Sequence, residues 1–190
     1  MKRWFTLSTL TLLAVILTSA TGLAQYKAGN NYIGVNATVV TEPVGWGLTY
    51  EYGYDENIGL GLTARYWSPE NTETGESTWT GTLERETFMF LAQALYHALP
   101  KSQFDPYGGV RLGYAYYKES WSTEGVAART APPEKAESGI TMSIVGGMRY
   151  FFSPQISAEA ALEYFLMHDD GYFVNRASTG MLLGLNFTLM

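Results

Sequence analysis

The stretch from Tyr107 to Tyr117, Tyr-Gly-Gly-Val-Arg-Leu-Gly-Tyr-Ala-Tyr-Tyr, limits what this chain can become more than any other. Val110, Leu112, Tyr114 and Tyr116 fall on one face, and Gly109, Arg111, Gly113, Ala115 and Tyr117 on the other. A repeat of two is the signature of a β-strand. A soluble barrel or sandwich must enclose its apolar face. Here the opposite face is the one suited to a crowded interior, since it holds small residues and a single cation. Turning the apolar face outward into lipid gives the pattern of a transmembrane β-barrel.

The same alternation returns along the chain. Asn31 to Val40 sets Ile33, Val35, Ala37 and Val39 against Tyr32, Gly34, Asn36 and Thr38. After a turn with Pro43, Trp46, Leu48, Tyr50 and Tyr52 oppose Gly47, Thr49, Glu51 and Gly53. Further strands are predicted at Ile58 to Trp67, Arg85 to Ala98, Tyr107 to Tyr117, Ile140 to Phe151, Ser157 to Leu166 and Ser178 to Leu189. That makes about eight, an even number as single-chain bacterial barrels require. Asp55 to Asn57, Pro100 to Asp105 and Ser153 to Gln155 are short connections. Ser68 to Leu83 and Trp121 to Glu137 are long, polar and read as loops, although the Thr-rich part of the first is able to prolong its strands. Short turns belong on the periplasmic side and long loops outside the cell.

The charges sharpen this reading. Glu51, Arg65, Arg111, Arg149, Glu159 and Glu163 all fall on the face assigned to the interior. The opposite rows, including Val110, Leu112, Tyr114, Leu162, Leu185 and Phe187, are assigned to lipid and hold no mid-strand charge. An Arg or Lys there would cost about 2–4 kcal/mol at the bilayer midplane. Three acids and three bases in a narrow lumen must pair, because an unpaired buried ion costs several kcal/mol. The expectation is a salt-bridge network that fills the barrel. A soluble lipocalin-like carrier would use the same alternation inside out.

Composition agrees with strands that touch something other than water. Charged residues make up 16% of the 190, and the chain holds 14 Tyr and 20 Gly; soluble domains carry about 25% charge. Lys2 and Arg3, the apolar run Leu7 to Leu17 and the small-x-small site Gly22-Leu23-Ala24 read as a secretory signal peptide over residues 1–24. Residues 25–190 then form the barrel domain. Without Lys2 and Arg3 the mature chain has ten cations against 18 acids, an acidic balance that argues against nucleic acid. The absence of cysteine excludes disulfides and thiol chemistry.

The run Tyr96 to Tyr114, with Leu95-Tyr96-His97, a Pro-containing turn, Pro106-Tyr107-Gly108-Gly109 and Leu112-Gly113-Tyr114, resembles the outer-membrane β-barrel domain family of OmpA and OmpX type proteins. The C-terminal Gly184-Leu185-Asn186-Phe187-Thr188-Leu189 is similar to the signal by which the barrel-assembly machinery recognises its clients. It departs from that signal in having Leu189 for the last aromatic, followed by Met190. The resemblance implies a cell outer-membrane location after export, contact with outer-membrane lipid, and assembly through the C-terminal strand.

His97, near a predicted periplasmic turn, is assigned a structural role. His168-Asp169-Asp170 is the one acid/base cluster worth weighing, and it reads as a solvated loop with no His-x-Ser motif beside it. No catalytic, metal or cofactor site is expected. The predicted function is structural or surface-interactive, with an extracellular ligand open through the long loops. A narrow channel for small or apolar solutes is the alternative, and a lipid-modifying enzyme a further one.

Overall fold

The computed structural model describes residues 25–40, 44–68, 70–74, 79–125, 134–167 and 178–189. The segment assigned to the signal peptide, and the cluster His168-Asp169-Asp170, lie outside them.

Nine strands follow in chain order: β1 (Asn31–Val40), β2 (Val44–Gly53), β3 (Ile58–Trp67), β4 (Glu70–Thr74), β5 (Trp79–His97), β6 (Phe104–Gly125), β7 (Lys135–Phe151), β8 (Ile156–Met167) and β9 (Ser178–Leu189). Every pairing is antiparallel. β4 continues β3 along the same partner, since Trp67 faces Thr87 and Glu70 faces Glu84 with no residue gained or lost. The ring therefore has eight members, closed by β1 against β9 from Asn31↔Leu189 to Val40↔Gly180. Closure satisfies every ladder and leaves the spanning wall without an edge.

Strand length is uneven. β1, β2 and β3 have 10 residues each, whereas β5 has 19, β6 has 22 and β7 has 17. The short connections, at Asp55–Asn57, Pro100–Gln103 and Phe152–Gln155, share one end, called the base below; the tall strands rise at the other, the rim. The expectation of long loops is corrected here. Ten residues of Ser68 to Leu83 belong to the hairpin of β4 with β5, and of Trp121 to Glu137 residues 121–125 belong to the top of β6 and 135–137 to the start of β7, while residues 126–133 lie outside the described ones. Beyond a bilayer both faces of a strand meet water, so the sequence alternation vanishes while the backbone ladder continues.

At the base the lead into β1 folds beneath the mouth. Gly29 takes φ of +84°, a conformation open to glycine, and its N–H donates to the Gly53 carbonyl at 2.7 Å. This turn sends Tyr26 inward, where it is 2% exposed.

Candidate functional site: an ion-filled lumen

Alternation along each strand sends one row inward, and these rows meet in layers. The lowest layer is ionic. Arg149 of β7 reaches across the lumen so that Nη2 lies 2.8 Å from Glu51 Oε2 on β2 and 3.1 Å from Glu159 Oε2 on β8. Its guanidinium carbon sits 5.4 Å from the Tyr32 ring centre and 5.7 Å from that of Tyr107, so two aromatic faces hold the cation. Tyr107 donates its hydroxyl to Glu159 Oε1 at 2.8 Å, and Asn186 donates Nδ2 to Glu159 Oε2 at 3.0 Å.

His97 joins this layer between two carboxylates. Its Nε2 is 2.8 Å from Glu51 Oε1 and its Nδ1 is 2.5 Å from Asp105 Oδ2. A neutral imidazole has one N–H and satisfies one of these acceptors; satisfying both makes the ring an imidazolium. Tyr26 closes the layer from below, stacked on His97 with ring centres 3.8 Å apart and on Tyr32 at 5.1 Å. Its hydroxyl donates to the Ile58 carbonyl at 3.0 Å. Burial, with the charge of Glu51 adding to it, pushes the Tyr26 phenol well above its ordinary pKa.

The second ionic layer stands nearer the rim. Glu163 of β8 lies 2.7 Å from Arg111 Nη1 and 2.5 Å from Arg65 Nη1, and it accepts the Ser143 hydroxyl at 2.5 Å. The Arg65 contact is an ion pair off the hydrogen-bond direction, whereas Arg111 also donates Nε to Gln93 Oε1 at 3.0 Å. Gln93 accepts from Thr63 as well, and Thr49 links Thr63 to the Asn36 amide. Between the layers lies an apolar one of Leu95, Val145, Ala161 and Leu182, each at most 5% exposed. Above the second layer come Trp67, Met89, Leu91, Ala115 and Phe165.

Among the described residues, four carboxylates (Glu51, Asp105, Glu159, Glu163) meet three guanidiniums and the His97 ring, so these charges balance when His97 is protonated. All six residues expected to line the interior are buried, and Arg65, Arg111 and Arg149 are each 1% exposed. The structure brings Glu51, Arg149 and Glu159 together in the first layer, and Arg65, Arg111 and Glu163 in the second. The sequence reading missed Asp105 and the ligating role of His97. The sequence pattern puts Asp105 in a turn, but β6 begins at Phe104, and the residue faces inward one position later. The signal was there to find: Asp105 and Tyr107 share the parity of Arg111.

The outward rows are exposed instead. Val110, Leu112, Tyr114, Leu162, Leu185 and Phe187 are 45–61% accessible on the convex surface. Tyrosines mark both limits of this belt. Near the base Tyr50 donates to Asn31 Oδ1 at 2.6 Å; near the rim Tyr114 donates to Ser138 at 2.6 Å and Tyr66 to Glu86 at 3.2 Å. Phenols that lie on apolar surface and end on polar groups are suited to the two membrane interfaces. The apolar rows between them form the band of an outer-membrane barrel, typically about 25 Å tall.

A closed antiparallel ring, apolar outside and ionic within, is the architecture of proteins that cross a membrane with strands. The sequence matches the outer membrane protein beta-barrel domain over residues 10–187, and the chain belongs to that family. Among solved structures it is similar to the outer membrane protein OprG from Pseudomonas aeruginosa, with TM-score 0.60 and 15% identity, covering 88% of this chain and 99% of that one. It is likewise similar to the N-terminal barrel domain of OprF from the same organism, with TM-score 0.55 and 16% identity over 85% of this chain and 98% of that one. For Ail, the attachment invasion locus protein of Yersinia pestis, the TM-score is 0.52 at 14% identity, over 86% and 100%. Identities this low carry the fold and nothing finer. No curated protein sequence matches the chain.

Proposed function

We propose that the mature chain is an integral protein of the cell outer membrane whose lumen is closed and whose work is structural and at the cell surface. Supporting this reading is the layering of the lumen: two ionic layers tied to opposite walls, parted by the apolar layer of Leu95, Val145, Ala161 and Leu182. An ion following the axis would have to displace a bonded guanidinium and then cross hydrocarbon, both costly. Eight strands leave a space just wide enough for their own side chains. The base faces the periplasm, with its short turns, and the rim faces outward. The tall parts of β5, β6 and β7 then stand in reach of other molecules. Insertion proceeds through β9, whose Gly184 to Leu189 end pairs in register with β1.

Envelope fractionation with gel mobility tests the placement: the chain should enter the outer-membrane fraction and migrate faster unheated than boiled. Planar bilayers test the closed lumen against a narrow channel. Silence is expected from the wild type, and regular conductance steps altered by Arg111→Ala would establish the channel instead.

A further inference from the structure

Charge is divided unevenly between the two ionic layers. Glu163 alone answers both Arg65 and Arg111, which leaves the upper layer with one positive charge in excess. The lower layer holds Glu51, Asp105 and Glu159 against Arg149 and a protonated His97, an excess of one acid. Glu159 stands about 13 Å from Glu163 along β8, so it acts on Arg65 through its field and not through a bond. Towards the rim the next inward charges of β5 and β6, Arg85 and Glu119, answer each other at 3.6 Å.

Donors exceed acceptors in the upper layer as well. Among the described residues Nε, Nη1 and Nη2 of Arg65, Nε2 of Gln93 and Nε1 of Trp67 have no hydrogen-bond acceptor, and Oδ1 of Asn36 is the unused acceptor set against them. Arg65 crosses the lumen from β3, so that its guanidinium meets Glu163 of β8 and lies 5.8 Å from the centre of the Phe165 ring. Nη1 is the atom beside Glu163. Nε and Nη2 form the side-on fork, which matches two oxygens of one anion.

The wall nearby is built of small residues, since Gly113 faces Thr141 and Ala115 faces Gly139 across β6 and β7. Thr141 lies one inward place above Ser143, whose hydroxyl bonds Glu163; its own hydroxyl is buried and without a partner. Along this row of β7 solvent contact grows in steps, from buried Thr141 through half-buried Gly139 and Glu137 to exposed Lys135.

We propose that the rim side of Arg65 is a binding site for a small oxyanion, held by the Arg65 fork and the Thr141 hydroxyl and admitted down the inward row of β7. One bound monoanion cancels the excess charge of the layer and takes up donors that otherwise stay unused. The apolar layer beneath makes the site a blind end, so binding accords with a closed lumen and involves no passage.

The test uses the full mature chain in maltoside micelles, whose head groups are uncharged, with inorganic phosphate as the probe. Nuclear magnetic resonance follows the Nε–H signals of Arg65 and Arg149. Arg149 is the control, because its Nε also lacks an acceptor but lies beyond the apolar layer. A saturable shift of the Arg65 signal in the millimolar range is expected, with Arg149 unmoved. No shift, a shift that never saturates, or equal shifts of both signals overturn the proposal. An equal response to chloride at matched ionic strength overturns it too, since the fork would then select no oxyanion. Two variants, each checked for the unheated gel mobility of the wild type, are read by the same Arg65 signal. Glu163→Gln raises the excess to two positive charges and should tighten binding about tenfold, whereas Thr141→Val should weaken it about fivefold. Unchanged affinity in Thr141→Val, or unchanged or weaker affinity in a folded Glu163→Gln, overturns the site; where Glu163→Gln does not fold, Thr141→Val decides alone.

Discussion

Glu163→Gln removes one negative charge, and almost no volume, from beneath two buried guanidiniums. Glu163 is 0% exposed and within 2.7 Å of both Arg65 and Arg111. Removing one partner of a buried pair costs about 3–5 kcal/mol, because the ion left behind keeps its desolvation penalty. The loss should stay near that range rather than double. Arg111 retains Gln93 at 3.0 Å, whereas Arg65 has no hydrogen-bond partner to fall back on. With a urea slope of about 2 kcal/mol/M, the unfolding midpoint falls by about 2 M at unchanged slope. Reversible unfolding from lipid vesicles, followed by tryptophan emission and by gel mobility, measures it. Arg65→Met is the companion: it leaves Glu163 paired with Arg111 and should cost less, about 1–3 kcal/mol. A Glu163→Gln protein within about 0.5 kcal/mol of wild type, or one more stable than Arg65→Met, would refute the claim that these charges hold one another in a dry lumen.

Three further outcomes follow from single positions. Leu112→Arg puts a cation in the middle of the apolar belt and should lower stability in vesicles by about 2–4 kcal/mol; the same change at the exposed Ser122 of the rim should cost under about 0.5 kcal/mol. Gly59→Ala forces a methyl group against the carboxylate of Glu51, whose Cδ would lie 2.8 Å away, and should cost about 1–3 kcal/mol in the same unfolding assay. Gly146→Ala is its control, since a methyl there meets nothing within 4 Å. Tyr26→Phe loses only the bond to Ile58 and should cost about 1 kcal/mol, against about 3–5 for Tyr26→Ala. The pH dependence has a definite sign: the folded chain keeps the Tyr26 phenol protonated above its ordinary pKa of 10.0, so the unfolded chain ionises first. Wild-type stability relative to Tyr26→Phe is therefore constant below about pH 10 and falls above it. A difference that grows with pH would contradict the burial of this hydroxyl.

Where lipid imposes a rule, the amino-acid pattern shows it. β1, β2, β3 and β9 alternate cleanly because a misplaced polar residue would meet hydrocarbon, and their bounds are readable to within a residue or two. The tops of β5, β6 and β7 obey no such rule. Thr82, Ser120 and Ser122 meet water whether paired or not, so a tall hairpin looks like a polar loop. Inward charges were legible by parity alone, but their partners were not. That Arg149 bonds to Glu51, 98 positions away, depends on how the ring closes, which no local pattern contains. His97 was assigned to structure on its surroundings near a turn, and its two carboxylates come from β2 and β6.

The apolar layer between the two ionic layers separates their bonds, although it does not screen their charges from each other. Glu159 and Glu163 are four residues apart on one strand, about 13 Å, and among the described residues no hydrogen bond or ion pair joins their clusters. Damage in one half should thus add to damage in the other, with Glu163→Gln and His97→Gln summing in a double variant.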